Sequence, residues 1–218
     1  MPAGERRALI AAAARRVFSR NGYDGAKTLQ IAREAGVSEA LVFRHFPSKL
    51  ALYRAVWRDV FAEQDQRWAE QGIQNDSATG LAQAIERFIR DCVAAANGPE
   101  RLDSHRMTLA SLAGDGSYAS LIYRRSQRRN RLAMERAFTA ARAAGELDGP
   151  VSTLSAAMFV EHVGTMIAAI GALPPASQPY DAAGDELVRQ ATWFCLRGIG
   201  LNDATIRAAL SEGEAEGG

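Results

Sequence analysis

The chain has 218 residues, of which 47% are hydrophobic and 23% charged, and a formal net charge of +1. Such a length admits one domain or a small domain joined to a larger one, and the apolar fraction is enough for a sizeable buried core. The near-zero net charge hides an asymmetry: residues 1–60 hold eleven Lys/Arg against five Asp/Glu, net +6, and the remainder nets −5. A cationic head on a mildly anionic body points to a polyanion met by the head alone.

Alanine is abundant and β-branched runs are short, which favours helix throughout. The first helix is predicted over Glu5–Arg20, with Leu9, Ala13 and Val17 in an apolar stripe and Asn21-Gly22 ending it. Thr28 is expected to N-cap a short helix over Leu29–Ala35, which Gly36 breaks. Ser38 is expected to cap a third helix over Glu39–His45, stopped by Pro47, because proline disfavours helical geometry in the residue before it. Ser48 then caps a fourth helix reaching Gln71, with Tyr53, Val56, Trp57, Val60, Phe61 and Trp68 on its apolar side.

A polar loop, GIQNDSATG, leads into the body. There a helix carrying Leu81, Ile85, Phe88, Cys92 and Ala96 ends at Asn97-Gly98-Pro99, and further helices cover Glu100–Ala113 and Ser117–Ala144. The segment Val151–Ala172 is apolar on nearly every face and is expected to be buried on more than one side. Helices over Asp185–Gly200 and Asp203–Leu210 and an acidic flexible tail, 211–218, complete an all-α chain of about nine or ten helices.

The break Gly36-Val37-Ser38 between two short helices, with cationic groups nearby, fits a helix-turn-helix. Ile31, Ala32, Ala35, Val37, Leu41 and Val42 are spaced to pack the two helices together, and Phe46 reads as core. That packing turns the start of the second helix outward, the end that a recognition helix presents to base edges.

The run RVFSRNGYDGAKTLQIAREAGVSEALVFRHFPSKLALYRAV contains F-x-x-x-G-Y, T-x-x-I-A-x-x-A-G-V-S and aromatic-x-H-F-x-S-K-x-x-L-Y. It resembles the DNA-binding domain of the TetR family of transcriptional regulators, over about Leu9–Trp57. The resemblance implies Thr28 as a phosphate contact, with Ser38, Glu39 and Ala40 facing base edges. It implies His45 as a backbone contact and Lys49 as a phosphate-binding lysine, while Arg44 can reach a phosphate or a base. Two positions depart from the family pattern. Phe43 stands where tyrosine is usual, losing a hydroxyl but keeping a ring for a sugar or thymine methyl, and Leu50 replaces a common glutamate.

The same resemblance implies a DNA-binding domain over 1–50 and an effector-binding and dimerisation domain over 51–210. It implies a homodimeric, ligand-responsive regulator, a repressor with an activator as the alternative, on a near-palindromic double-stranded operator. Phe88, Cys92, His105, Met107, Leu109, Leu112, Leu121, Met134 and Phe138, apolar or polarisable, are the candidate lining for a small hydrophobic or aromatic effector. Met158, His162, Met166, Ile170, Val188, Phe194 and Cys195 are the candidate dimer contacts, with small residues such as Gly164 permitting close helix approach.

Other classes receive less support. His45, His105 and His162 lack metal-ligand spacing, and there is no G-x-S-x-G, phosphate loop or dinucleotide fingerprint, so no enzyme, metal or cofactor is expected. A helical interaction protein without DNA binding is the remaining alternative. Cys92 and Cys195 have no C-x-x-C spacing and read as buried thiols of a reducing compartment. Arginines interrupt the N-terminal apolar run, and Glu161 and His162 interrupt Val151–Leu173, which argues against a signal peptide and a membrane span. A cytoplasmic location follows. Six arginines between Arg124 and Arg136 read as a solvated face paired with acids.

Overall fold

The computed structural model describes residues 2–95 and 98–216, with side chains described for all of these except 99, 100 and 212–216. The described residues form ten α-helices and no strand: α1 Ala3–Gly25, α2 Thr28–Glu34, α3 Glu39–His45, α4 Lys49–Gln71, α5 Ala78–Ala95, α6 Pro99–Leu112, α7 Ser117–Ala143, α8 Thr153–Gly171, α9 Gly184–Gly198 and α10 Asp203–Glu216. The all-α expectation holds. They pack as two compact units, one from 1–66 with 99–122 and the other from 67–98 with 123–218.

Local chemistry sets most helix ends. Gly22 has φ 65° and ψ −179°, a combination essentially restricted to glycine, and it kinks α1 where the sequence predicted an end. A short turn then continues to Gly25. Ser38, Ser48 and Ser152 accept from the amides of Leu41, Ala51 and Ser155 and start α3, α4 and α8. Ser77 accepts from Gly80 N, so α5 begins at Ala78 and the preceding loop is shorter than predicted. The buried hydroxyl of Ser111 accepts from the amides of Tyr118 and Ala119, satisfying the first turn of α7 from a different helix. The predicted break at Asn97 lies outside the described residues. α10 continues to Glu216 instead of ending at Leu210.

Thr28 is not the N-cap of α2. The chain is extended at Lys27, whose amide donates to Gln30 Oε1 at 3.0 Å, and Thr28 is already the first helical residue. The Gln30 side chain reaches back to the Lys27 amide, and the amides of Gln30 and Ile31 donate to the Lys27 carbonyl at 3.0 and 3.2 Å, so the first turn forms without the threonine hydroxyl.

In the first unit Ile10, Phe18, Ile31, Leu52, Phe46 and Tyr118 are fully buried. Each such side chain contributes about 1.5–3 kcal/mol on leaving water. Ser19 of α1 donates to the buried Asp103 of α6 at 2.6 Å, and the buried Arg15 donates to both oxygens of Glu63 at 2.7 and 2.9 Å. The rings of Phe18, Tyr23, Tyr53, Trp57, Phe61 and Tyr118 form a chain of contacts across α1, α4 and the start of α7.

The second unit has a core built by α5, the later part of α7, and α8, α9 and α10. Leu81, Ile85, Ile89, Phe138, Ala156, Leu196 and Ile206 lie at its centre. α8 and α5 meet at Gly164, where an added Cβ would lie 2.5 Å from a Phe88 ring carbon and 2.7 Å from Cys92 Sγ. Only one stripe of α8 is covered, by way of Ala156, Val160, Gly164, Ile167 and Ala168. Leu154, Phe159 and Met166 are 46–59% exposed, so the predicted burial on more than one side does not occur within the chain. Among the described residues α8 is the one helix long and apolar enough to cross a membrane by length and composition.

Candidate nucleic-acid interface

The head builds its outer surface around α3, whose length and start match the sequence expectation. Val42 and, just beyond α3, Phe46 face inward and are buried, while Ser38, Ala40, Phe43 and Arg44 are exposed and Glu39 and His45 half-buried. The other end of α3 is clamped: Arg7 donates to the His45 carbonyl at 2.9 Å and lies 4.1 Å over the Phe46 ring. The sequence reading missed Arg7, because its partner is 38 residues away.

Thr28 and Glu39 meet directly. The Thr28 hydroxyl donates to Glu39 Oε1 at 2.5 Å, joining the first residue of α2 to the first residue of α3. Glu34, at the end of α2, is held by Arg16 and Arg20 of α1, and these hydrogen bonds keep its carboxyl below the usual range. α2 is therefore fixed at both ends.

Lys49 opens α4, where unpaired helix amides and its own ammonium favour an anion together. Its Nζ also donates to the Ala26 carbonyl at 3.0 Å and sits 4.5 Å from the centre of the Tyr23 ring. The charge is thus held in place over the α1–α2 connection.

The body residues distribute less simply. Of the expected effector lining, Phe88, Cys92, Met134 and Phe138 belong to the second unit, where Cys92, Met134 and Phe138 are buried. His105, Met107, Leu109, Leu112 and Leu121 belong to the first unit, with Met107 buried and Leu112 52% exposed. Leu112 faces solvent because it ends its helix. Burial pushes the Cys92 thiol far up and the Cys195 thiol up to about 11, so neither is poised as a nucleophile.

Of the expected dimer contacts, Met166 and Phe194 are exposed, the latter 67%, and His162 is also exposed. Met158 and Ile170 are half-buried on the same open face of α8. Val188 and Cys195 do not join them. They are turned into the core of their own unit and are 2% and 5% exposed, because α9 packs that side against α5. Gly164 likewise serves the contact between α8 and α5 within one chain. His162 meets the Tyr123 ring edge-on at 5.3 Å.

Beside His162, Glu161 accepts from the Ser126 hydroxyl. Burial raises its carboxyl above the usual range, against the opposing effects of the Ser126 hydrogen bond and the Arg129 charge. A raised folded-state value means that folding disfavours the charged form, so stability is lost as pH rises from the unfolded value through the folded one. Glu161→Gln is expected to melt higher than the parent chain at pH 8, with the difference vanishing near pH 4. Thermal melts across that range check it. On α7, Arg124, Arg128, Arg131 and Arg136 are exposed, the last two pairing with Glu135 and Asp76 at 3.0 and 2.8 Å, whereas Arg125 and Arg129 are half-buried and depart from the expected solvated face.

The comparisons with known proteins agree with this architecture. The family model for bacterial regulatory proteins of the tetR family matches residues 10–56, and that for the C-terminal domain of AefR-like transcriptional repressors matches residues 83–198, over half of the chain. The HTH-type transcriptional activator FasR of Mycolicibacterium smegmatis is 46% identical over 56 residues, and the chain spans 26% of that relative's length and matches it over 26% of its own. A bacterial regulatory protein of the tetR family from Rhodococcus RHA1 has the same fold, with a TM-score of 0.68 at 19% identity over 91% of this chain and 98% of that one. Salmonella enterica GusR shares it with a TM-score of 0.59 at 16% identity over 91% and 97% of the two chains. The chain belongs to the TetR family and is a transcriptional regulator.

Proposed function

We propose that the chain is a dimeric, ligand-responsive repressor that binds a near-palindromic operator through two copies of α3. The observation that carries this reading is the outward face of α3, capped at Ser38 and clamped at His45, with Ala40, Phe43 and Arg44 exposed on a cationic head. Thr28, Ser38, Glu39, Ala40, Phe43, Arg44, His45 and Lys49 form the DNA-facing set, within a binding domain over 1–50. Residues 51–210 then serve effector binding and dimerisation, in a cytoplasmic protein.

Repression is supported by the AefR-like repressor match over the body, whereas the relative named an activator matches only about a quarter of the chain. The second copy is expected on the open face of α8 and α9, where Leu154, Phe159, Met166 and Phe194 expose apolar surface that a lone chain rarely leaves uncovered. Met158, His162 and Ile170 lie on that face. Phe194→Arg should convert a dimer to a monomer in analytical ultracentrifugation and abolish operator binding. A dimer that persists would move the interface elsewhere.

A small hydrophobic or aromatic effector is the proposed signal, supported by the apolar cluster around Phe88, Cys92 and Phe138. Such an effector weakens DNA binding only through its different affinities for the two conformations. Lys49→Ala is expected to weaken binding to all duplexes alike and to reduce the salt slope by about one unit. Titrations at several salt concentrations check this, and a loss confined to one operator position would instead put Lys49 at a base edge.

A further inference from the structure

We infer that Thr28 and Glu39 act as one base-reading unit, in which the Thr28 hydroxyl aims the Glu39 carboxylate at the N4 amino group of a cytosine in each half-site. This inference rests on the DNA-binding reading and deepens it by naming the group that is read.

Thr28 does not cap α2, because Lys27 holds the cap position and Thr28 is the first helical residue. A threonine hydroxyl carries a single proton. Here it is donated to Glu39 Oε1 at 2.5 Å, between two half-buried side chains. A DNA phosphate oxygen carries no proton at neutral pH and needs a donor, so a hydroxyl already committed to Glu39 has nothing left to donate to it. Thr28 is therefore a positioning residue, whose hydroxyl does not supply the phosphate contact implied by the family resemblance.

What is positioned is an acceptor. An ionised carboxylate accepts only, and with Oε1 engaged by Thr28 its second oxygen remains for a donor. Glu39 lies between the exposed Ser38 and Ala40 at the outward start of α3. In the major groove the only base donors are the N4 amino group of cytosine and the N6 amino group of adenine. Guanine offers acceptors alone, and thymine an acceptor and a methyl, so both are rejected. Adenine places the N7 acceptor beside its amino group, which would face the carboxylate and repel it. Cytosine has no such neighbour and is the base selected.

The test uses the full-length chain and a randomised duplex library, followed by the selected operator carrying each of the four base pairs at every half-site position. The parent chain should show one position at which cytosine is preferred by roughly ten-fold or more. Glu39→Gln should move that preference to adenine, whose N6 and N7 a glutamine amide can engage together. Thr28→Val should relax the preference at the same position by several-fold and leave the salt slope unchanged, whereas Thr28→Ser, which keeps the hydroxyl, should retain it. Circular dichroism melts confirm that each variant is folded. The inference is overturned if Thr28→Val lowers affinity for all duplexes equally and reduces the salt slope by about one, or if Glu39→Gln changes no preference. Absence of any salt-dependent duplex binding by the parent chain would overturn the DNA-binding reading itself, a result distinct from both.

Discussion

Tyr118→Ala is expected to destabilise the chain by about 3–5 kcal/mol, the cost of emptying a large buried aromatic site. Tyr118 is fully buried at the start of α7, with its ring 5.6 Å from Trp57 and 6.2 Å from both Tyr53 and Phe61. Aromatic contacts of this kind add about 0.5–1.5 kcal/mol each beyond burial. The hydroxyl contributes nothing of the sort. It has no hydrogen-bond partner among the described residues, and burial pushes its ionisation far up. Tyr118→Phe is therefore expected to leave stability unchanged or raise it, since a buried polar group without a partner carries a desolvation cost. Denaturant unfolding of both variants separates the ring from its hydroxyl. Equal losses for the two would mean that the hydroxyl is bonded after all.

Gly164→Ala is expected to cost about 1–3 kcal/mol through overpacking, or a melting temperature lower by roughly 2–12 °C. The new methyl would meet the Phe88 ring and Cys92 Sγ at distances that real side chains do not adopt. Neither neighbour yields easily, since Cys92 is 2% exposed and Phe88 packs against the core of the second unit. The paired variant Gly164→Ala/Phe88→Leu should recover part of the loss, because contacting sites are not additive. An unchanged melting temperature for Gly164→Ala would contradict the close approach of α5 and α8.

These two residues also show where the sequence was legible. α3 could be read to the residue because its start, Ser38, and its stop, Pro47, act on backbone groups a few positions away. The kink at Gly22 was half-legible. A glycine was needed there, but the turn that continues α1 to Gly25 was not signalled. Gly164 was recognised as a small residue on an apolar helix, yet its neighbour across the helix contact is on α5 rather than in a second copy. Small residues announce a close approach without naming the helix that makes it.

The same limit governs the candidate sites. Val188, Phe194 and Cys195 lie within two turns of α9, and periodicity alone does not say which side of that helix the chain itself covers. Packing against α5 buries Val188 and Cys195 and leaves Phe194 outside. The partnership of Thr28 with Glu39 spans eleven residues, and that of Ser19 with Asp103 spans 84, so neither falls within the range of a local motif. The latter contact helps to join 99–122 to the head in one compact unit, where the sequence suggested a division at residue 50.

On the proposed reading, two copies of this chain grip one duplex through their cationic heads. That reading is tested most directly by measuring, on a library-selected operator, the number of chains bound and the dependence of affinity on salt. Two chains are expected per operator, with a logarithm of affinity that falls linearly with the logarithm of salt concentration and a shallower slope for Lys49→Ala. Binding by a single chain, or no salt-dependent affinity for any duplex, would contradict that reading.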